Sequence, residues 1–222
     1  MTIQKRKVKK LNVLVGGPTQ QWPDTLKSGQ IEGPWIGVDR GAIRLLQLGI
    51  KPEIAVGDFD STAQEELACV KEQVIHIETF PPEKDLTDTQ IGVITAIRYF
   101  EFEQLTIYGA TGGRMDHLLA NIFLPLEPRF RPYVTKIKLI DRQNTITYYQ
   151  PGMHEIKKEP NKKYLAFVTL TKVDGLTLFD EKYPLNDYSS GHPTSWASNE
   201  FNGDLNHFKF DSGIVAVIQS RD

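Results

Sequence analysis

Cysteine is nearly missing from this sequence. A single thiol, Cys69, stands in 222 residues, so no intramolecular disulfide can form and nothing points to an oxidising compartment. No apolar run reaches the length of a membrane span, and the first residues carry no signal-peptide h-region. The expectation is a cytoplasmic protein with no membrane partner. Charge of one sign is lacking too: 26 Lys+Arg face 28 Asp+Glu, a net −2 that gives nucleic acid no global field to follow. The basic residues Lys5, Arg6, Lys7, Lys9 and Lys10 form a local cluster, expected as a solvated arm ahead of the first strand. His76, His117, His154, His192 and His207 are scattered without zinc-ligand spacing. A Walker A loop is absent, and Gly16-Gly17-Pro18 has the wrong spacing for a dinucleotide fingerprint. There is no internal repeat.

Short apolar runs closed by glycine or proline alternate with helical periodicities through the first two thirds of the chain. Leu11–Val15, Trp35–Val38, Ile54–Val56, Val74–Ile77, Leu105–Tyr108 and Lys136–Ile140 read as strands. Helices are expected over residues 40–48, 62–72, from about 88 to 99, and 118–126. Alternation of this kind implies right-handed βαβ units and a parallel sheet covered on both faces. Past Asp141 the pattern changes to strand candidates separated by turns such as Asp174-Gly175, Asn202-Gly203 and Ser212-Gly213. The fold class expected is therefore an α/β parallel-sheet domain over residues 1–142, followed by a small all-β sandwich over 143–222.

Polar residues collect where four of the strands end. They are Asp39-Arg40-Gly41, Gly57-Asp58-Phe59-Asp60-Ser61, Lys84-Asp85-Leu86-Thr87-Asp88, and Gly109 through His117. In a parallel sheet all four lie on one edge, where α/β proteins bind ligands. Carboxylates held together repel unless a cation joins them, and hard oxygen donors suit Mg²⁺. Asp58, Asp60 and Asp88 are the candidate metal ligands. Gly57 is expected to permit an unusual turn and a close approach, with Phe59 turned into packing. Asp85 and Asp88, at i and i+3, can both face the site from the first turn of a helix; Asp85 can equally serve as a helix-start carboxylate. Lys84 suits phosphate charge, or an exposed surface. Gly112-Gly113-Arg114 offers backbone N–H groups and a guanidinium at a helix entrance. Asp116 can orient Arg114, bind metal indirectly or cap the helix. The chemistry that fits is magnesium-dependent phosphoryl transfer without a P-loop.

At these residues the chain resembles the bacterial thiamine pyrophosphokinase (thiamine diphosphokinase) family, over most of its length. Gly57–Ser61 resembles the family's acidic motif, Lys84–Asp88 its Lys-Asp-x-Thr-Asp motif, and Gly109–His117 its Gly-x-x-Gly-Gly-Arg-x-Asp-His motif. Gly37-Val38-Asp39-Arg40-Gly41 resembles the first motif, whose common form has Gly where Arg40 stands. Ser198-Asn199-Glu200 resembles a Ser-Asn-Glu motif beside the thiamine site, where an ordinary hairpin turn is the alternative.

The resemblance implies an ATP- and Mg²⁺-binding α/β domain and a β-sandwich that binds thiamine and dimerises, with active sites shared in a homodimer. It implies transfer of the pyrophosphoryl group of ATP to thiamine, with release of AMP. Catalytic roles then fall to Asp39, Asp58, Asp60, Asp85 and Asp88, with Asp39 or Asp85 helping the hydroxyl lose its proton. Lys84, Thr87, Gly112, Gly113, Arg114, Asp116 and His117 would contact ATP, and Trp196, Ser198 and Asn199 thiamine. A pyrophosphokinase acting on a pterin alcohol, and a non-catalytic nucleotide or thiamine sensor, are the alternatives.

Overall fold

The computed structural model describes residues 4–60, 62–81 and 85–222. Ser61 and the candidate phosphate ligand Lys84 lie outside the described residues. The chain divides into two compact units, one running to Leu124 and including Leu139–Arg142, the other made of Pro125–Lys138 and Gln143–Asp222. Pro125–Lys138 thus groups with the C-terminal unit, although it precedes the change of pattern at residue 142.

In the first unit, β1 (Arg6–Leu14), α1 (Asp24–Lys27), β2 (Trp35–Val38), α2 (Arg40–Gln47), β3 (Ile54–Gly57), α3 (Gln64–Gln73), β4 (His76–Thr79), α4 (Asp88–Tyr99), β5 (Phe100–Tyr108) and α5 (Met115–Phe123) follow in order. The strands lie in the order β5-β1-β2-β3-β4, all parallel. Side chains alternate across a strand, and β2 shows which helix takes which face. Trp35 packs with Leu45 of α2, and Gly37 lies directly against Ala42 of the same helix. Val38 instead meets Gly92 of α4, together with Val13 of β1. So α2 and α4 cover opposite faces, and β2, β3 and the second half of β1 are buried on both sides. A second cluster joins Ala42, Ile43 and Ala55 to Phe59, Val70 and Val74 under α3.

Two local expectations change. Arg6–Lys10 is no arm: it is the first half of β1, in register with Phe100–Gln104 of β5. The basic side chains stay exposed and pair with Glu53, Glu101 and Glu32. Val74 caps α3 and Ile75 is almost fully exposed, so β4 starts two residues later than its apolar run.

β6 (Ile137–Ile140) spans the boundary between the units. The second unit continues with β7 (Asn144–Tyr149), β8 (Gly152–Lys157), β9 (Tyr164–Thr169), β10 (Val173–Leu178), β11 (Leu185–Ser190), β12 (Thr194–Trp196), β13 (Leu205–Phe210) and β14 (Val215–Ser220). These strands pair antiparallel as β12-β9-β14-β7 and as β11-β10-β13-β8. One core joins the two layers: Leu165, Phe167, Val215 and Val217 from the first pack with Ile156, Leu176, Phe208 and Phe210 from the second. That is a sandwich, built by period-two alternation on each inner face.

Candidate active site

The strand order reverses at β1. The chain moves outward through β2, β3 and β4, then returns to place β5 on the other side of β1. Loops at such a switch point part and leave a crevice beyond the carboxyl ends of the strands. A cleft of about 1040 Å³ opens there, and every residue lining it belongs to the first unit. Asp39, Asp58, Asp60, Asp85 and Asp88 all border it.

The turn after β3 is built around Asp39. Its Oδ1 accepts the Phe59 N–H at 3.1 Å, and the carboxylate lies flat on Gly57, where a Cβ would come within 1.9 Å of Oδ1. Gly57 is therefore needed for space rather than for an unusual φ. The left-handed backbone falls on Asp39 (φ 48°) and Phe59 (φ 54°) instead. Phe59 is buried in the α2–α3 cluster, as expected, which leaves Asp58 and Asp60 on either side of it facing the cleft. Asp58 Oδ1 accepts the Asp60 N–H at 3.2 Å, holding the two residues in one tight turn.

At α4, Thr87 and not Asp85 makes the helix start. The Thr87 hydroxyl accepts the Gln90 N–H at 3.3 Å while Gln90 Oε1 accepts the Thr87 N–H at 2.6 Å, a reciprocal capping box. Asp88 is the first helical residue, and Asp85 sits exposed before the cap. The two carboxylates share the cleft but not a helical turn.

The loop after β5 is held from below by two buried polar side chains. Asn121 of α5 donates to the Ala110 carbonyl at 2.7 Å, and buried Asp141 accepts from the Thr111 hydroxyl at 2.7 Å. Gly112 (φ 76°) turns against Gln21, and Gly113 lines the cleft. Arg114 also lines it, but its guanidinium is paired with Asp116, Nη2 to Oδ2 at 2.5 Å and Nε to Oδ1 at 3.2 Å. That bond holds the Asp116 carboxyl below its usual range and the Arg114 guanidinium above its own. Of the roles open to Asp116, orienting Arg114 is the one these contacts carry. The His117 ring borders the cleft, and its backbone N–H donates to Asp116.

Sequence reasoning missed the end of β1. Gly16, Gly17 and Pro18 line the cleft. The Gly17 N–H donates to the Gly109 carbonyl at 2.9 Å, so the loops after β1 and β5 touch backbone to backbone. Arg44 of α2 braces this contact: its Nη1 donates to the Gly16 and Gly17 carbonyls, both at 2.8 Å, and its guanidinium lies over the Trp22 ring. A glycine pair one residue past a central strand was the available signal.

The remaining candidates lie in the second unit. Asn199 is 3% exposed and spends its side chain internally: Oδ1 accepts from Tyr183 N and Glu200 N, and Nδ2 donates to the Tyr183 carbonyl. These bonds lock the turn that precedes β11. Ser198 beside it is exposed with φ 61°. Trp196 packs edge-on against Tyr188, with ring centroids 4.9 Å apart, on the rim of the sandwich core.

Among the described residues no three acidic, histidine or cysteine side chains converge closely enough to cage a metal. The cleft's donors are nevertheless hard carboxylate oxygens, and Mg²⁺ commonly binds through one or two of these plus phosphate oxygens and water. The residues fit that mode.

The chain matches two family models, "Thiamin pyrophosphokinase, catalytic domain" over residues 31–138 and "Thiamin pyrophosphokinase, vitamin B1 binding domain" over residues 153–215. It belongs to the thiamine pyrophosphokinase family. A thiamine pyrophosphokinase of Bacillus subtilis (strain 168) is 36% identical over 217 residues, 97% of this chain and all of that protein. The crystal structure of a thiamin pyrophosphokinase family protein from Enterococcus faecalis is similar with a TM-score of 0.89 at 46% identity, covering 97% of this chain and 100% of that one. The Bacillus subtilis crystal structure gives a TM-score of 0.82 at 35% identity over 96% and 100% of the two chains. The family's catalytic match contains four of the five strand ends of the cleft; the fifth, after β1, precedes it.

Proposed function

We propose that this chain is an ATP:thiamine diphosphotransferase, moving the pyrophosphoryl group of ATP onto the hydroxyl of thiamine to give thiamine diphosphate and AMP. The observation that carries the reading is the convergence of acidic turns and glycine-rich loops at one switch point, in a member of this family. The oxygen–phosphorus bond between the α- and β-phosphates breaks, and a bond from the thiamine oxygen to the β-phosphorus forms. Such a reaction needs positioning and charge neutralisation more than covalent help from the protein. Asp58, Asp60 and Asp88 would hold Mg²⁺, which when bound neutralises phosphate charge. The hydroxyl proton goes to Asp85 or Asp39; Asp85 is the exposed one, whereas Asp39 already accepts a backbone N–H. Lys84, Gly113 and Arg114 belong to the phosphate side of the site. Thiamine recognition is assigned to the second unit, with Trp196 and the Ser198–Asn199 turn shaping it, in a cytoplasmic homodimer.

The test is AMP release from ATP and Mg²⁺, with and without thiamine. Thiamine-dependent AMP with matching thiamine diphosphate is expected. AMP formed only with a pterin alcohol would overturn the substrate, and ADP or free phosphate would overturn attack at the β-phosphorus. Asp58→Asn and Asp60→Asn should each lower turnover by about 10²–10³-fold, the scale set by removing one preorganised charge-stabilising group, with unfolding temperatures unchanged.

A further inference from the structure

Resting on that reading, we infer that Arg40 is the side chain that meets the pyrophosphoryl end of ATP in the cleft, with Arg44 one helical turn later fixed as a brace that leaves Arg40 to the ligand. The cleft is lined by five aspartates and, among the described residues, by two arginines, Arg40 and Arg114. Arg114 is not the better phosphate partner, because Asp116 already takes its fork through two bonds. Arg40 is exposed on the cleft wall and makes no hydrogen bond or ion pair with any described residue.

A second guanidinium of the same sign lies close by. Arg40 and Arg44 are i and i+4 on α2, neighbours on one helix face. Arg44 cannot leave to share the ligand: it is held by two main-chain carbonyls and by Trp22. Burial lowers the pKa of Arg44, and the positive charge of Arg40 lowers it further, so the two guanidinium groups are close enough to feel one another. A phosphate entering beside Arg40 gains a planar fork suited to two of its oxygens. Position selects which phosphates. Arg40 adjoins Asp39 at the end of β2, next to the Asp58–Asp60 turn at the end of β3. That is the carboxylate side of the cleft, where the metal and the transferred group belong in the proposed reaction.

Isothermal titration of wild type, Arg40→Gln and Arg40→Lys with ATP and with AMP, both in excess Mg²⁺, separates the possibilities. Loss of a charge-assisted contact predicts Arg40→Gln binding ATP about 10- to 100-fold more weakly, with AMP affinity within about threefold of wild type. Arg40→Lys should recover part of the ATP affinity, since it keeps the charge and loses the fork. The unfolding temperature of Arg40→Gln should not move, because the side chain is exposed and pairs with no described residue. Wild-type ATP affinity in Arg40→Gln would overturn this inference alone, as would equal losses for ATP and AMP. A wild-type protein that bound no Mg²⁺–ATP would overturn the proposed reaction, and this inference with it.

Discussion

Replacing Gly57 by alanine loads the acidic turn at its tightest point. The new Cβ would stand 1.9 Å from Asp39 Oδ1 and 2.5 Å from its Cγ, far inside contact distance. Gly57 does not occupy the left-handed region, so alanine brings no backbone strain and its whole effect falls on the Asp39 carboxylate. To make room that carboxylate must swing away and give up the Phe59 N–H. Overpacking costs about 1–3 kcal/mol and a hydrogen bond to a charged acceptor about 1.5–3 kcal/mol. The two overlap, because one movement of Asp39 relieves the clash by breaking the bond. A net loss of about 2–3 kcal/mol follows, lowering the unfolding temperature by about 5–10 °C for a chain of this size. Thiamine-dependent AMP formation should fall by about 10²-fold, the effect of a misplacement near 1 Å. The decisive measurement is thermal unfolding in two backgrounds. Asp39→Ala removes the obstructing carboxylate, so Gly57→Ala should add little to it, and the coupling energy should match the cost seen in wild type. If Gly57→Ala unfolds at the wild-type temperature, or costs the same with and without Asp39, the carboxylate is not what requires glycine there.

Arg44→Met keeps the stem and removes two charge-assisted bonds to the Gly16 and Gly17 carbonyls; it should cost about 2 kcal/mol in thermal unfolding and weaken ATP binding, with Arg44→Lys recovering only part of either. In the second unit Glu181 is 2% exposed, its Oε1 has no partner among the described residues, and burial pushes its carboxyl up from 4.5 to about 7. Between those values the folded state holds a proton that the unfolded chain has released, so stability falls as pH rises from about 4.5 to about 7 and then levels off. Glu181→Gln should be the more stable protein at pH 8 by about 1–3 kcal/mol, an advantage that shrinks toward pH 4; parallel stability–pH curves for the two proteins would refute the assignment.

Much of the site was legible because three of the four polar clusters follow buried apolar runs, and such runs have few alternatives to a central parallel strand. Asp39, Asp58 and Asp60 reach the cleft for that reason, whereas Asp85 and Asp88 reach it from the start of α4, beyond the half-exposed edge strand β4. What escaped the sequence depends on main-chain contacts or on edges. Arg44 is unremarkable in sequence because its partners are carbonyls 27 and 28 residues away. The backbone contact of Gly17 with Gly109 likewise exists only once β1 and β5 are side by side. Strands β8, β11 and β12 carried no alternating apolar pattern, and all three are outermost in their layers of the sandwich, where one neighbour supplies the hydrogen bonds and little apolar surface is buried. Asn199 was legible as a motif residue, but its bonds to the main chain of Tyr183, 16 residues away, exist only in the folded turn.

The order of the strands also sorts the chemistry along the cleft. β2, β3 and β4 are consecutive neighbours, and the turns after them supply all five aspartates. β5 and β1 are the next neighbours, and the loops immediately after them, Gly109–Gly113 and Val15–Pro18, contain no carboxylate. A sheet edge arranged this way has a cation-seeking side and an amide-rich side, and the boundary falls between β1 and β2. Arg44 crosses that boundary, starting on the helix that follows β2 and ending on the carbonyls that follow β1. Taking up those carbonyl oxygens turns acceptors away from the amide-rich side, which would otherwise present them to an anionic ligand. A metal-bound polyphosphate is the ligand class that needs both halves at once, positive charge against the aspartates and oxyanions against the loops.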